Sequence, residues 1–205
     1  LRHDIYVRGA QRLSRGVQDA ALRGMTMALT VAPANFVYHV EMPAGRASLD
    51  QAFYTPVVAA LAERPRMVGE LMGLPGQGGR NDNPAEVLAM LVGTGQAALL
   101  VRPGLAPTVP AQRLNATLAR QTVRLDGLNR AAVATSGRMG GGLICRAVEL
   151  FLIERITAAG GGLDAGVWAI ELAPDLPVDD LNPLRGQLQR VMQDRHPVWQ
   201  AAGLT

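Results

Sequence analysis

The chain has 205 residues, 48% of them apolar, and a formal net charge of +3. This apolar content excludes an intrinsically disordered protein, and a chain of this length can bury one good core or two small ones. No apolar run approaches the roughly 18 uncharged residues that a membrane-spanning helix needs. We therefore expect a folded, soluble protein without a membrane span.

The 20 basic residues are all arginine, against 17 acidic residues. The absence of lysine excludes a Schiff-base cofactor, a P-loop and a protein kinase, since each of these needs a lysine. The small positive excess says little about nucleic-acid binding, which needs clustered charge. The single cysteine, Cys145, cannot form an internal disulfide, and this is consistent with a cytoplasmic location.

The first fifty residues are predicted to form one helix and a small sheet. Ser14 is a good N-cap for a helix that reaches about Arg23 and is closed by Gly24. Alternation of apolar and polar residues indicates strands. The alternating or short apolar segments are residues 1–9, 25–31, 35–42 and, after a turn at 43–46, 47–49.

Three helices and a strand are predicted next, over residues 54–64, 67–72, 83–92 and 97–101. Pro65 ends the first helix, because the residue before proline is pushed out of the helical region. Asn83 is a good N-cap for the third helix, with Pro84 at the first helical position. Helix, short helix, helix and strand is the order of a winged-helix unit.

The second half of the chain is predicted to follow a proline-rich connector at 103–110. The predicted elements are a helix at 111–120, a strand at 128–135, a glycine-rich loop at 136–142, a long helix at 144–158 and a helix at 183–195 that Pro197 ends. We expect an α+β fold with two lobes: residues 1–105 hold the winged-helix-like unit and its small sheet, and residues 106–205 form a mixed α/β lobe.

Three segments carry a family resemblance: RHDIYVRGAQRLS at 2–14, YTPVVAALAERPRMVGELM at 54–72, and a tail at 167–204 that begins VWAIELAPDLP. Together they resemble the methyltransferase regulatory domain, which follows the catalytic domain of certain bacterial class I S-adenosylmethionine-dependent methyltransferases, some similar to protein-lysine methyltransferases. The resemblance implies a non-catalytic regulatory or substrate-positioning region that acts on a protein substrate. The cofactor would then bind to an upstream catalytic domain and not to this region, and the start at Leu1 favours a piece of a longer protein.

A glycine-rich loop is the sharpest small-molecule signal, because backbone amides between a strand and a helix can cradle a nucleotide or S-adenosylmethionine. Its spacing is not that of a dinucleotide-binding loop, and no acidic residue ends the preceding strand. A tight connection or a flexible loop is the favoured interpretation. The loop residues are Gly137, Arg138, Gly140, Gly141 and Gly142.

Other candidate catalytic residues have weaker support. The three histidines, His3, His39 and His196, lack the spacing of metal ligands, so no metal site is predicted. Cys145 would open the predicted long helix, where the helix dipole could lower its pKa, but an apolar core role is favoured. The sequence around Ser136 has no nucleophile elbow.

The third helix of the winged-helix-like unit discriminates between two kinds of partner. Residues 83–95 contain Glu86 and no basic residue, so phosphate contacts are disfavoured and a protein-contact role is favoured over a DNA-binding transcriptional regulator. Aromatic residues that no helix core needs are candidate contacts. These candidates are Tyr6, with Arg8 on the same face, and Tyr38 and Trp199; for Tyr6, contact with the catalytic domain and packing on its own sheet both stay open.

Overall fold

The structure, a computed structural model, describes residues 9, 11–42, 45–77 and 82–205, apart from the side chains of residues 41, 42, 47 and 124–126. The described chain mixes helices with three small antiparallel sheets, which confirms the α+β class. No helix among these residues is long and apolar enough to cross a membrane.

The first half contains four helices and five strands within the described residues. Their bounds are α1 Arg15–Arg23, β1 Thr26–Leu29, β2 His39–Met42, β3 Gly45–Ser48, α2 Gln51–Glu63, β4 Arg66–Met67, α3 Val68–Met72, α4 Pro84–Gly93 and β5 Ala97–Leu100, with a 3-10 turn at Pro33–Asn35.

The second half contains four helices and one hairpin within the described residues. Their bounds are α5 Val109–Asp126, β6 Ala131–Ser136, β7 Gly141–Arg146, α6 Ala147–Ala158, α7 Ala165–Leu172 and α8 Asn182–Ala202, with a 3-10 turn at Val178–Leu181.

The helix caps explain why the predicted helices of the first half lie close to the observed ones. The Ser14 hydroxyl accepts from the Val17 amide at the start of α1, and Asn83 accepts from the Ala85 amide at the start of α4. Helix α2 begins three residues before its predicted start because Asp50 caps it by accepting from the Ala52 amide. It ends before Pro65, as predicted.

Strand β1 lies at the centre of the first lobe. It is antiparallel to both neighbours, so that Thr26 is opposite Met67 on β4 and opposite Leu100 on β5. Strands β2 and β3 form a separate hairpin in which His39 faces Ser48. The predicted strand at 35–42 is too long. The 3-10 turn at Pro33–Asn35 takes its first residue, and β2 begins only at His39.

The predicted helix at 144–158 is wrong at its start. Leu143 and Cys145 are buried whereas Ile144 is 78% exposed, and this period of two belongs to a strand. Their neighbours on β6 are Ala134, opposite Leu143, and Ala132, opposite Cys145. The helix begins only at the end of β7, where the strand turns into α6.

The predicted stop at Pro197 is also wrong, since α8 continues to Ala202. Pro197 is exposed, whereas Val198, Trp199 and Ala202 are buried. The helix continues because the burial of this last turn outweighs the hydrogen bond that proline cannot donate. Helix α7 was not predicted at all, although Asp164 caps it by accepting from two backbone amides.

Buried apolar side chains form two clusters, one on each side of the proline-rich segment at 103–110. The first extends from Met27 to Ala97 and includes Phe53, while the second extends from Ala119 to Leu204 and includes Trp199. The division into lobes at 1–105 and 106–205 stays a prediction.

Asn115 on α5 takes the place of a third strand beside β6. Its side chain is almost fully buried, its Nδ2 donates to the Thr135 carbonyl (3.0 Å), and its Oδ1 accepts from the Thr135 amide (2.7 Å). Both edge groups of Thr135 are thereby satisfied, which a buried edge requires.

We expect Asn115→Ala to lower the free energy of unfolding by about 2 kcal/mol, because two buried backbone groups lose their partners. Urea unfolding followed by circular dichroism measures the change. Gln121→Ala, an exposed site on the same helix, is the control and should change stability by less than about 0.5 kcal/mol. Equal effects of the two substitutions would contradict this role for Asn115.

Candidate functional site

A buried ion pair joins α6 to α8, and its arginine also contacts the first half of the chain. Arg195 on α8 donates from Nε to Glu149 Oε2 on α6 (2.7 Å), and from Nη1 to the Thr30 carbonyl just after β1 (2.6 Å). The Glu149 side chain is only 5% exposed, and its Oε1 accepts from the Arg146 amide and from Arg146 Nε. The carboxylate is thus surrounded by donors, as a structural ion pair requires.

Arg138 makes the second junction, from the turn between β6 and β7. Its Nε donates to the Leu105 carbonyl (2.7 Å) in the connector, and its Nη1 donates to the carbonyls of Gln200 (2.9 Å) and Ala201 (3.3 Å). The guanidinium therefore caps the C-terminal end of α8. Gly203 must be glycine here, because its φ is +69° and a Cβ would lie 2.6 Å from Arg138 Cδ.

A cleft of about 390 Å³ lies between these junctions. Its walls are mainly apolar, and they come from the end of β1, the C-terminal end of α2 and the last turns of α8. Its charged side chains are engaged: Arg64 pairs with Glu70 (3.0 Å), and Glu63 accepts from Arg66. The cleft is suited to an apolar group, and its lining contains no pair of nucleophile and general base.

The glycine-rich segment lines a second, more open groove of about 720 Å³ between the connector, α5 and the hairpin. The predicted strand–loop–helix arrangement is wrong, because Gly141 and Gly142 belong to β7 and the segment joins two strands. No helix begins at this turn, so its backbone amides do not form an anion-binding site at a helix N-terminus. Gly140, with φ +65°, supplies the tight turn.

Cys145 is the penultimate residue of β7 and precedes the N-cap of α6, so it does not open the helix as the helix-dipole argument assumed. Burial, and secondly the Glu149 charge, raise the pKa of the thiol to about 12. A thiol with this pKa is protonated at neutral pH and is a poor nucleophile.

The predicted partner residues do not form one surface within the described chain. Trp199 is fully buried in the second core, so its assignment as a surface contact is wrong. Tyr38 is half-buried, packs edge-to-face on Phe36 and shares a hydrogen bond with Thr55. Tyr6 and Arg8 lie outside the described residues, and their contact role stays a prediction.

The exposed side of α4 is uncharged apart from one carboxylate. Val87, Leu88 and Leu91 are buried, whereas the exposed side carries Ala85, Glu86, Ala89 and Val92. The side chains of this surface offer no donor to a phosphate, which disfavours contact with nucleic acid.

Glu149 and Arg195 were missed by sequence reasoning, and Arg138 was predicted only as part of the glycine-rich loop and not as a structural contact. One local signal existed: Glu149 lies three residues after Arg146, the spacing of a capping box, which marks the start of α6. The partner Arg195 is 46 residues away in sequence, and no local pattern connects the two.

Among the described residues, no group of three or more histidine, cysteine or acidic side chains is placed to hold a metal ion. The His39 ring shares a hydrogen bond with Ser48 (3.0 Å), and burial lowers the pKa of His196.

Comparisons with protein-family models, curated proteins and solved structures found no match. The chain is therefore assigned to no family.

We expect Arg195→Met to lower the free energy of unfolding by about 3 kcal/mol, because Glu149 loses its buried partner. Arg190→Met, at an exposed position of the same helix, is the control. Replacing both Glu149 and Arg195 by methionine should recover much of the loss, since no buried charge then lacks a partner. A double variant less stable than Arg195→Met would contradict this account.

A second expectation concerns alkaline pH. In the unfolded chain the Cys145 thiol loses its proton near pH 9, whereas in the folded chain it keeps the proton. The contribution of this thiol to the free energy of unfolding is therefore fully present below pH 9 and is lost as the pH rises toward 12. Denaturant unfolding should show a fall of up to about 1.4 kcal/mol per pH unit from this group. Cys145→Ala should reduce the slope between pH 9 and 10 and leave it unchanged between pH 7 and 8. Equal slopes for both proteins above pH 9 would refute the assignment.

Proposed function

We propose that this chain is a non-catalytic regulatory or substrate-positioning region of a class I S-adenosylmethionine-dependent methyltransferase that modifies a protein. The resemblance of three segments of its sequence supports this proposal. The structural observation that carries it is the exposed side of α4, which presents Glu86 and no basic side chain and is therefore unsuited to nucleic acid. The methyl donor would bind to a catalytic domain elsewhere in the parent protein.

The order of elements around α4 supports the winged-helix part of the proposal. Helix α2, strand β4, helices α3 and α4 and strand β5 follow one another along the chain. The central strand of their sheet is β1, which comes from the N-terminal side of the unit. In this variant of the architecture, β1 occupies the place that the return strand of a wing would take.

The competing function is a winged-helix transcriptional regulator that binds DNA. Its third helix would need arginine or polar donors toward the phosphates, and α4 offers Glu86 instead. The nearby Arg64 and Arg66 both engage Glu70, and Arg66 also pairs with Glu63. These observations favour a protein partner over a nucleic acid.

Two binding measurements on the 205-residue chain test the choice. We expect no saturable binding of labelled S-adenosylmethionine at concentrations up to about 1 mM, and no binding of duplex DNA beyond the salt-sensitive, non-specific level at about 150 mM salt. The parent protein, with its catalytic domain, is the positive control for the methyl donor. Tight binding of the methyl donor to the isolated chain would contradict the proposal that the donor binds only to a separate catalytic domain.

The regulatory role has a separate test in the parent protein. Removing this region should lower methyl transfer to the protein substrate and leave the affinity for S-adenosylmethionine unchanged. Unchanged transfer to the protein substrate would refute the role.

A further inference from the structure

Helix α7 is apolar on both of its sides. Ala165, Trp168 and Ala169 are buried against the second core, whereas Val167 and Ile170 point away from it. An amphipathic helix would present polar residues on its outer side, so the exposed side of α7 lacks the composition expected next to water.

The exposed apolar side chains continue before and after the helix. Each is between 45% and 61% exposed, and together we call them the α7 surface: Leu163, Val167, Ile170, Leu176 and Val178. Val167 and Ile170 are spaced i and i+3 on one face of α7, and Leu163 lies just before the N-cap Asp164. A set of exposed apolar residues surrounded by polar groups is typical of an interaction site.

All charged residues in the chain segment that carries the α7 surface are acidic. Residues 159–184 contain five carboxylates and no basic residue, although the whole chain has a net charge of +3. Asp164 caps α7, and Glu171 pairs with Arg155 (2.5 Å). The remaining carboxylates, on Asp175, Asp179 and Asp180, are exposed and make no ion pair with the described part of the chain.

Three arginines lie near α7, and none of them pairs with Asp175, Asp179 or Asp180. Arg120 is exposed beside Glu171 and Leu172. Arg155 is engaged by Glu171 and lies over the Phe151 ring. Arg185, at the start of α8, is partly buried beside Gly166. The apolar centre and the acidic rim therefore remain available together.

We propose that the α7 surface binds a basic amphipathic segment of a protein, whose apolar side chains pack on Val167 and Ile170 and whose lysines or arginines pair with the acidic rim. Charge complementarity selects this partner, since unlike charges steer association and like charges are penalised. This deepens and rests on the proposed function, because a protein segment offered for lysine methylation carries positive charge. The basic segment would belong to the substrate.

A second copy of the chain is the competing occupant. Helix α1 is itself basic and amphipathic, with no buried residue and with Leu13 and Val17 exposed beside Arg12 and Arg15. Self-association through α1 and the α7 surface would therefore use the same chemistry, and the experiment must separate the two.

The test measures binding of a fluorescent model peptide of about 18 residues, in which leucine and lysine follow the pattern of an amphipathic helix, by anisotropy at low salt. Two variants remove the two components of the surface: Val167→Ser with Ile170→Ser, and Asp175→Asn with Asp179→Asn and Asp180→Asn. We expect each to weaken binding at least tenfold, and the charge variant to remove most of the salt dependence.

Matched controls isolate the surface. Leu13→Ser with Val17→Ser removes exposed apolar side chains from α1 instead and should leave peptide binding unchanged, and a peptide of the same composition in scrambled order should bind at least tenfold more weakly. Circular dichroism confirms that every variant is folded.

Equal peptide affinity of the wild-type chain and both surface variants would overturn the proposal, as would the absence of binding. Sedimentation that shows a dimer, dissociated by the Val167→Ser and Ile170→Ser changes, would assign the surface to a second copy. The proposed function fails separately, through S-adenosylmethionine or DNA binding, because the peptide measurement depends on neither.

Discussion

The buried pair between Glu149 and Arg195 is the interaction on which the packing of α6, α8 and the end of β1 depends. Removing a carboxylate and a guanidinium from water costs several kcal/mol per ion, and the cost is offset only if every remaining donor and acceptor is satisfied. Here the carboxylate accepts from Arg195 and Arg146, while Arg195 also reaches the Thr30 carbonyl of the first lobe. The pair therefore fixes α6, α8 and the end of β1 in one relative position.

Helix α8 takes part in both junctions, at two positions along its length. Arg195 lies two turns before its end, and Arg138 binds the carbonyls of its last turn. Ser136 adds a third contact by donating to the Ala202 carbonyl. The cleft lies beside these polar contacts, and its walls come from the end of β1, the end of α2 and the last turns of α8.

The two exposed surfaces of functional interest differ in chemistry. The outer side of α4 is small and nearly uncharged, whereas the α7 surface combines large apolar side chains with an acidic rim. Neither brings a nucleophile and a base together, and the one cysteine is buried with a raised pKa. Under the proposed function, both surfaces would contact protein.

The sequence by itself determined the elements that depend on neighbouring residues alone. These are the capped helices α1 and α4, the strand β5 that follows α4, and the end of α2 before Pro65. The sequence predicted the α+β class for the same reason. Only the tertiary structure decided that residues 144–146 extend a strand, because their apolar pattern suits a strand or a helix and pairing with β6 selects the strand. It likewise decided that Trp199 is core and that Arg195 meets Glu149, since burial and contacts between residues distant in sequence arise only when the helices pack together.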